Sequence, residues 1–174
     1  MGDEIQRISA RAYAKLNLAL AIGPAVDDPA SRSHGYHPIC SYMHAIELHD
    51  TIEIERASST EYDIAWLSEK GSADPVGWAL ESDLGVRAHR AMEALAGTAL
   101  PCAIRVRKAI PAGGGLGGGS SDAASVLLGL NELFGLGLGR ERLVSIAMTL
   151  GSDIAFFVDP GFTPPRPAIV EGFG

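Results

Sequence analysis

The chain has 174 residues, 47% of them hydrophobic and 20% charged, which suits one globular core and is short for two full-sized domains. Its formal charge of −7 disfavours nucleic acid as a partner, because such a surface repels a phosphate backbone. No apolar run is long enough to span a bilayer, and the first residues lack the basic start and apolar stretch of a signal peptide, so we expect a cytoplasmic protein without a membrane partner.

The first predicted element is a β-strand over residues 8–22. Seven apolar residues alternate along it and are expected to share one face: Ala10, Ala12, Ala14, Leu16, Leu18, Leu20 and Ile22. The opposite face presents Lys15 and Asn17, two polar side chains that point the same way within an apolar segment. This placement makes the two residues candidates for a functional site.

The second region begins with a predicted loop. Residues 23–35 contain two prolines and clustered Gly, Ser and Asp, which are typical of a loop. Two strands are expected after it, at 37–49 and 51–56, joined by a turn at His49 and Asp50.

The middle of the chain is predicted to contain a strand, a helix and another strand. The strand at 62–67 precedes a loop at 68–75, and residues 82–97 have the spacing and polar cap of a helix. In the strand predicted at 102–110, apolar and basic residues alternate until a proline ends it.

The last third is predicted to be helical, followed by a tail. Helices are expected at 120–134 and 140–150, and a short third helix is expected to end at Phe157. The tail, residues 159–174, contains four prolines and is expected to be extended or loosely docked beyond a domain of residues 1–158.

The glycine-rich segment 111–121, between a strand and a helix, is the clearest candidate for a binding site. Glycine permits positive φ and leaves no Cβ, so successive amides can surround an anion, and the following helix adds its free amides and its dipole. The pattern favours a polyphosphate, with a flexible hinge as the alternative. The residues expected at the phosphates are Pro111, Gly113, Gly114, Gly115, Leu116, Gly117, Gly118, Gly119, Ser120 and Ser121.

Two common nucleotide-binding folds are not supported. Gly113, Gly115 and Gly118 fit the dinucleotide pattern G-x-G-x-x-G, but that motif needs an acidic residue about 20 positions later at the end of a second strand, where this chain is predicted to be helical. The Walker loop needs a lysine before Ser or Thr, and no Gly-Lys-Ser or Gly-Lys-Thr occurs.

Four motifs, in this order, carry a resemblance to one enzyme superfamily. They are Ala14-Lys15-Leu16-Asn17-Leu18, Gly35-Tyr36-His37, the segment from Pro111 to Asp122, and Leu150-Gly151-Ser152-Asp153-Ile154-Ala155-Phe156-Phe157. The first three are similar to the superfamily of galactokinase, homoserine kinase, mevalonate kinase and phosphomevalonate kinase. The fourth narrows the resemblance to a branch of non-mevalonate isoprenoid biosynthesis, and the match covers nearly the whole chain.

The resemblance implies a fold and a reaction. The fold is α+β, a mixed sheet packed with helices, like domain 2 of ribosomal protein S5. The cofactors are ATP and Mg²⁺, with the ATP phosphates at the glycine-rich segment and no protein side chain predicted as a metal ligand. The reaction is phosphate transfer from ATP to the 2-hydroxyl of a small-molecule substrate, a cytidine diphosphate-linked methylerythritol. A kinase for another small alcohol and a non-catalytic nucleotide-binding module are the alternatives.

The resemblance also implies site residues by their positions in the motifs. Lys15 and Asp153 are the catalytic pair, Asn17 lies in the substrate site, and Tyr36 and His37 contact the cytidine end. Asp153 would accept the alcohol proton, while Lys15 would hold Asp153 in place and stabilise charge at the attacking oxygen. The residues alone leave simpler roles open: Asp153 could cap a helix, and Lys15 could extend to water. Tyr36 and His37 could anchor a turn.

Members of this superfamily usually have a second α/β domain that completes the cleft. We expect that domain to be absent from these 174 residues, and we therefore expect low or no kinase activity from this chain alone. Apolar surface left exposed in this way promotes self-association, so a homo-oligomer is a candidate assembly.

Overall fold

The described residues form one mixed sheet packed with helices, as expected for the α+β class. The structure is a computed structural model that describes residues 5–31, 33–67, 73–161 and 163–173. The strands are β1 (Arg7–Ile22), β2 (Pro38–Arg56), β3 (Glu61–Leu67), β4 (Ala73–Pro75), β5 (Cys102–Lys108) and β6 (Ala168–Phe173). The helices are α1 (Leu84–Ala96), α2 (Gly118–Leu133), α3 (Arg140–Leu150) and α4 (Ile154–Phe157), with a 3-10 turn at Leu80–Ser82.

The sheet has the strand order β1-β2-β5-β3-β4, and β6 pairs with the first part of β2. The β3 and β5 strands are parallel, while the other pairs are antiparallel. The core lies between this sheet and α1, α2 and α3. The α2 helix lies so close to β2 that a Cβ at Gly129 would be 2.7 Å from Ile54 Cδ1. The C-terminal half of α2 is thereby held close to the sheet.

The turn predicted at His49 and Asp50 is wrong, because β2 continues through both residues. Asp50 is fully buried, and its carboxylate accepts hydrogen bonds from the ammonium of Lys108 and from two backbone amides. A polar residue in an apolar run can therefore mark a buried charge cluster as well as a turn. The strand is irregular nearby, since its pairing with β1 shifts by two residues between Tyr13 and Ala14.

A second irregularity in β1 separates its apolar residues between two faces. The register with β2 shifts between Asn17 and Ala19, and an extra residue at this point turns the rest of a strand over. Leu20 and Ile22 therefore face the side of Asn17, whereas Leu16 faces the other, so the prediction of one apolar face fails beyond the bulge. Leu16, Leu20 and Ile22 are exposed, and Leu18 between them is 58% exposed. Residues 16–22, 38–43 and 168–173 are called the ribbon below.

The segment after residue 159 contains a strand. The extended conformation expected there takes the form of β6, which pairs with β2 from Pro38 to Met43. The approach to β6 is fixed by Arg166, whose Nε and Nη2 donate to the two carboxylate oxygens of Asp159 at 2.9 Å each.

The other elements agree closely with their predicted ranges. The α1 helix begins after Asp83, whose carboxylate accepts from the amides of Gly85 and Val86, and it ends before Gly97 in the left-handed conformation. The predicted loop at 68–75 lies partly outside the described residues, and its last three residues form β4. No helix in the described part of the chain has the length and apolar character needed to cross a membrane.

Candidate active site

The glycine-rich loop joins the end of β5 to the start of α2. Gly113, Gly115 and Gly117 adopt φ values of 75°, 70° and 73°, a conformation that other residues rarely take. The α2 helix begins at Gly118, two residues earlier than predicted, so the last glycines lie in its first turn. The sequence therefore supplies glycine where the backbone needs it.

The N-terminus of α2 has amides available for an anion. The first amides of a helix have no intrahelical partner, and the hydrogen-bond ladder of α2 starts with Ser121 N donating to Gly117 O at 2.8 Å. No side chain among the described residues caps this end. The amides of Gly118, Gly119 and Ser120 and the positive end of the helix dipole thus form a site suited to phosphate.

A cavity of about 340 Å³ lies over this helix end. Its walls include every residue predicted to contact phosphate except Ser121, which is buried on the other side of the turn. Trp78 and Leu84 contribute an apolar wall that sequence reasoning missed. The indole of Trp78 is oriented by a hydrogen bond from Nε1 to Asp83 Oδ2 at 3.0 Å. The cavity therefore offers backbone donors on one side and an aromatic surface on the other.

Lys15 and Asp153 converge beside the glycine-rich loop. Lys15 is 5% exposed, and its Nζ lies 3.2 Å from Asp153 Oδ2 and donates to Asn17 Oδ1. Its backbone amide donates to Leu116 O at 2.8 Å, which ties β1 to the loop. The ammonium of Lys15 is thus ion-paired with the carboxylate of Asp153 and hydrogen-bonded to the side-chain amide of Asn17, beside the loop.

The geometry does not fit the simpler roles considered for Lys15 and Asp153. Asp153 precedes α4, but its side chain makes no capping hydrogen bond. Lys15 does not extend to water, because it is buried in its ion pair. A buried cation needs such a partner, so the carboxylate and the ammonium hold each other in place.

The structure does not bring Tyr36 and His37 to this ion pair. Tyr36 is 55% exposed, and His37 Nδ1 lies 2.8 Å from Gly23 O. Lys15 and Gly23 are separated by the second half of β1, roughly 25 Å at about 3.3 Å per residue. In the described structure the two aromatic residues therefore lie on the loop at the far end of the ribbon.

Comparison with known proteins adds an independent line of argument. Residues 83–161 match the family model described as GHMP kinases N terminal domain, which includes the loop and Asp153. A 4-diphosphocytidyl-2-C-methyl-D-erythritol kinase of Xanthomonas campestris pv. campestris (strain B100) is 42% identical over 84% of this chain and 46% of its own length. The chain is thus similar to the N-terminal domain of GHMP kinases over residues 83–161 and, over most of its own length, to this kinase. A kinase of the same name from Geobacter sp. (strain M21) is 38% identical over 98% of this chain and 55% of its own length.

A crystal structure of 4-(cytidine 5'-diphospho)-2C-methyl-D-erythritol kinase superposes on this chain with a TM-score of 0.71 at 32% identity. The superposition covers 95% of this chain and 52% of the other. The chain thus spans about half the length of the curated relatives it matches.

Three buried charges beneath the loop were not predicted as site residues. Asp50, Lys108 and Asp122 lie where β2, β5 and α2 meet, each less than 4% exposed. Burial raises the pKa of Asp122 to about 8, with Lys108 opposing the shift and Asp50 adding to it. Burial lowers the pKa of Lys108, but the two carboxylates outweigh it, so that this pKa is raised. The available signal was the position of Lys108 on the apolar face of an alternating strand.

The described residues provide no cluster of three or more His, Cys, Asp and Glu side chains that could hold a metal ion. The resemblance implies Mg²⁺ bound together with the ATP phosphates, a mode that uses one or two protein ligands and needs no such cluster.

Proposed function

We propose that this chain is the nucleotide-binding half of an ATP-dependent kinase that phosphorylates the 2-hydroxyl of 4-diphosphocytidyl-2-C-methyl-D-erythritol. The observation that supports the proposal best is the ion pair of Lys15 and Asp153 beside an uncapped helix N-terminus. The names of the relatives support the choice of substrate. The cytoplasmic location expected from the sequence stays a prediction.

The proposed mechanism assigns three tasks to this chain. The amides of the glycine-rich loop hold the ATP phosphates and offset their charge. Asp153 accepts the proton of the substrate hydroxyl while the hydroxyl oxygen forms a bond to the γ-phosphorus of ATP. The bond from that phosphorus to the bridging oxygen breaks, and ADP leaves. Lys15 fixes the carboxylate and stabilises the negative charge on the attacking oxygen.

The substrate contacts are assigned less directly. Asn17 Oδ1 accepts a hydrogen bond from the same Lys15 ammonium that pairs with Asp153. Asn17 therefore lies within reach of a hydroxyl bound at Asp153. Tyr36 and His37 remain proposed contacts for the cytidine end, on the loop beyond the ribbon. Mg²⁺ would neutralise phosphate charge when bound with ATP.

A coupled ATPase assay with the cytidine substrate tests this proposal. We expect Asp153→Asn to lower turnover at least about a hundredfold and to leave the Kd for ADP unchanged, since the side chain acts on the hydroxyl and not on the phosphates. Asp63→Asn, which breaks an exposed ion pair with Arg107, is the matched control and should have wild-type turnover.

The outcomes separate the candidate functions. Equal turnover in wild type and Asp153→Asn removes the aspartate from the mechanism. Turnover only with a different alcohol supports a kinase of another substrate. ADP binding without any product is expected both of the non-catalytic module and of a kinase half with an incomplete cleft, so turnover that Asp153→Asn abolishes is the result that supports the kinase.

A further inference from the structure

The buried cluster of Asp50, Lys108 and Asp122 has no task in the mechanism above. The ammonium of Lys108 lies 2.5 Å from Asp50 Oδ2 and 2.5 Å from Asp122 Oδ2. Burying an ion pair and a second carboxyl group is costly, and apolar residues of similar volume would often stabilise such a site equally well. Stability alone therefore does not account for the cluster.

The cluster ties together the two ends of the glycine-rich loop. Asp50 Oδ1 accepts from the amides of Ala109 and Ile110, the last residues before the loop, at 2.5 and 2.8 Å. Lys108 connects this same carboxylate to Asp122, which lies on the helix that follows the loop. Both ends of the loop are thus bonded to one anchor on β2.

The ends also touch, while the tip of the loop does not. A Cβ added to Gly118 would lie 2.9 Å from Ile110 Cγ2, so the strand end and the helix start are in direct contact. A Cβ added to Gly113 or Gly115 would meet nothing within 4 Å. The two ends of the loop are therefore packed together, and between them the loop is held by the hydrogen bond from Lys15 N to Leu116 O.

We propose that Asp50, Lys108 and Asp122 form a clamp that holds the glycine-rich loop at the opening required by nucleotide phosphates. Lys108 and Asp122 are then positioning residues for nucleotide binding. The importance of the clamp for nucleotides rests on the proposed function, whereas its effect on the loop does not.

The hydrogen bonds place a proton on Asp122. Asp50 receives three donors, but Asp122 receives only Lys108, and its Oδ1 has no hydrogen-bond partner among the described residues. One ammonium balances one carboxylate, so the second acid is neutral. The raised pKa of Asp122, about 8, agrees with this assignment.

The other charged groups near this end of α2 are engaged elsewhere. Lys15 on β1 pairs with Asp153 before α4, and Asp83 before α1 accepts from Trp78 and from the amides of its own helix. Loss of the proton from Asp122 above pH 8 would place a second negative charge beside Asp50 and beneath the phosphate site. Nucleotide affinity should therefore fall as the pH rises through 8.

Hydrogen exchange of the protein without nucleotide tests the clamp itself. We expect Lys108→Met to lower the protection of the hydrogen-bonded amides at the two ends of the loop, those of Ala109, Ile110 and Ser121, at least about tenfold, while amides in β2 near Ile52 stay protected. Arg107→Met on the opposite face of β5 is the matched control, because its ion pair with Asp63 is exposed. Equal protection of these three loop-end amides in the two variants would overturn the clamp.

The pH profile supplies a readout that a merely structural role would not change. The Kd for ADP of the wild type should rise between pH 7.5 and 9.5, by up to about tenfold per pH unit above 8, and this rise should be absent in Asp122→Asn. The proposal is overturned if the Kd for ADP depends on pH in the same way in wild type and in Asp122→Asn. Since Asp122→Asn preserves the shape of the side chain, it provides the test if Lys108→Met does not fold. If the wild type binds no ADP, the proposed function fails, and protection of the three loop-end amides at pH 7.5 and 9.5 in wild type and Asp122→Asn then decides on the clamp.

Discussion

Replacement of Gly117 by alanine should displace the candidate catalytic lysine. The new Cβ would lie 3.0 Å from Lys15 Cγ and 3.1 Å from Phe157 Cζ, both closer than ordinary contact. A left-handed backbone costs a residue with a Cβ about 1–2 kcal/mol, and overpacking of this kind costs about 1–3 kcal/mol more. We therefore expect Gly117→Ala to lower the free energy of unfolding by about 2–5 kcal/mol.

Gly115→Ala separates the two contributions. Gly115 has φ 70°, nearly the value of Gly117, but a Cβ there meets no atom within 4 Å. This control should lose only the backbone part, about 1–2 kcal/mol. The gain from a less flexible unfolded chain applies to both variants and cancels in their difference.

Urea unfolding followed by circular dichroism gives both free energies, and turnover with the cytidine substrate reports the position of Lys15. We expect Gly117→Ala to lose more turnover than Gly115→Ala, because only the former shifts Lys15 from Asp153. The reasoning is refuted if the two variants have equal unfolding free energies, since the contact with Lys15 and Phe157 would then cost nothing.

Three further predictions concern packing, pH and association. Gly129→Ala should lower the free energy of unfolding by about 1–3 kcal/mol in urea, because its Cβ would lie 2.7 Å from Ile54 Cδ1, whereas Gly139→Ala, with no atom within 4 Å, should not. Since the folded pKa of Asp122 is raised to about 8, its contribution to the free energy of unfolding should be fully present below its unfolded pKa and be lost as the pH rises to 8. The difference between wild type and Asp122→Asn isolates this contribution, and a difference that does not change with pH contradicts it. The exposed ribbon should drive self-association in sedimentation experiments, and Leu20→Ser should weaken it; a wild-type monomer at high concentration speaks against that role.

Local patterns predicted the parts of the site that depend on the backbone. The spacing of glycines between a strand and a helix predicted the loop, because positive φ and close approach are properties of single residues. The convergence of Lys15 and Asp153 followed only from the family resemblance. The two residues are far apart in the sequence, and no periodicity relates a strand to a turn that precedes a helix.

The errors arose where the three-dimensional neighbours decide. The bulge at Asn17 depends on how β1 pairs with β2, so alternation in β1 alone could not reveal that Leu20 changes face. Asp50 has the composition of a turn residue, but Lys108 and the following amides satisfy its charge inside the protein. A single sequence gives no sign of partners that lie 58 residues or more away.

The binding surface at the start of α2 consists of main-chain atoms, and this affects how it could be lost. Truncating any one side chain outside the clamp leaves Gly118, Gly119 and Ser120 with the same amides in the same helix. Loss of the anion site would require added atoms, such as a methyl group at a crowded glycine, or a change that lets the helix end move. Alanine scanning would therefore underestimate this surface, and scanning its glycines with larger residues would reveal it.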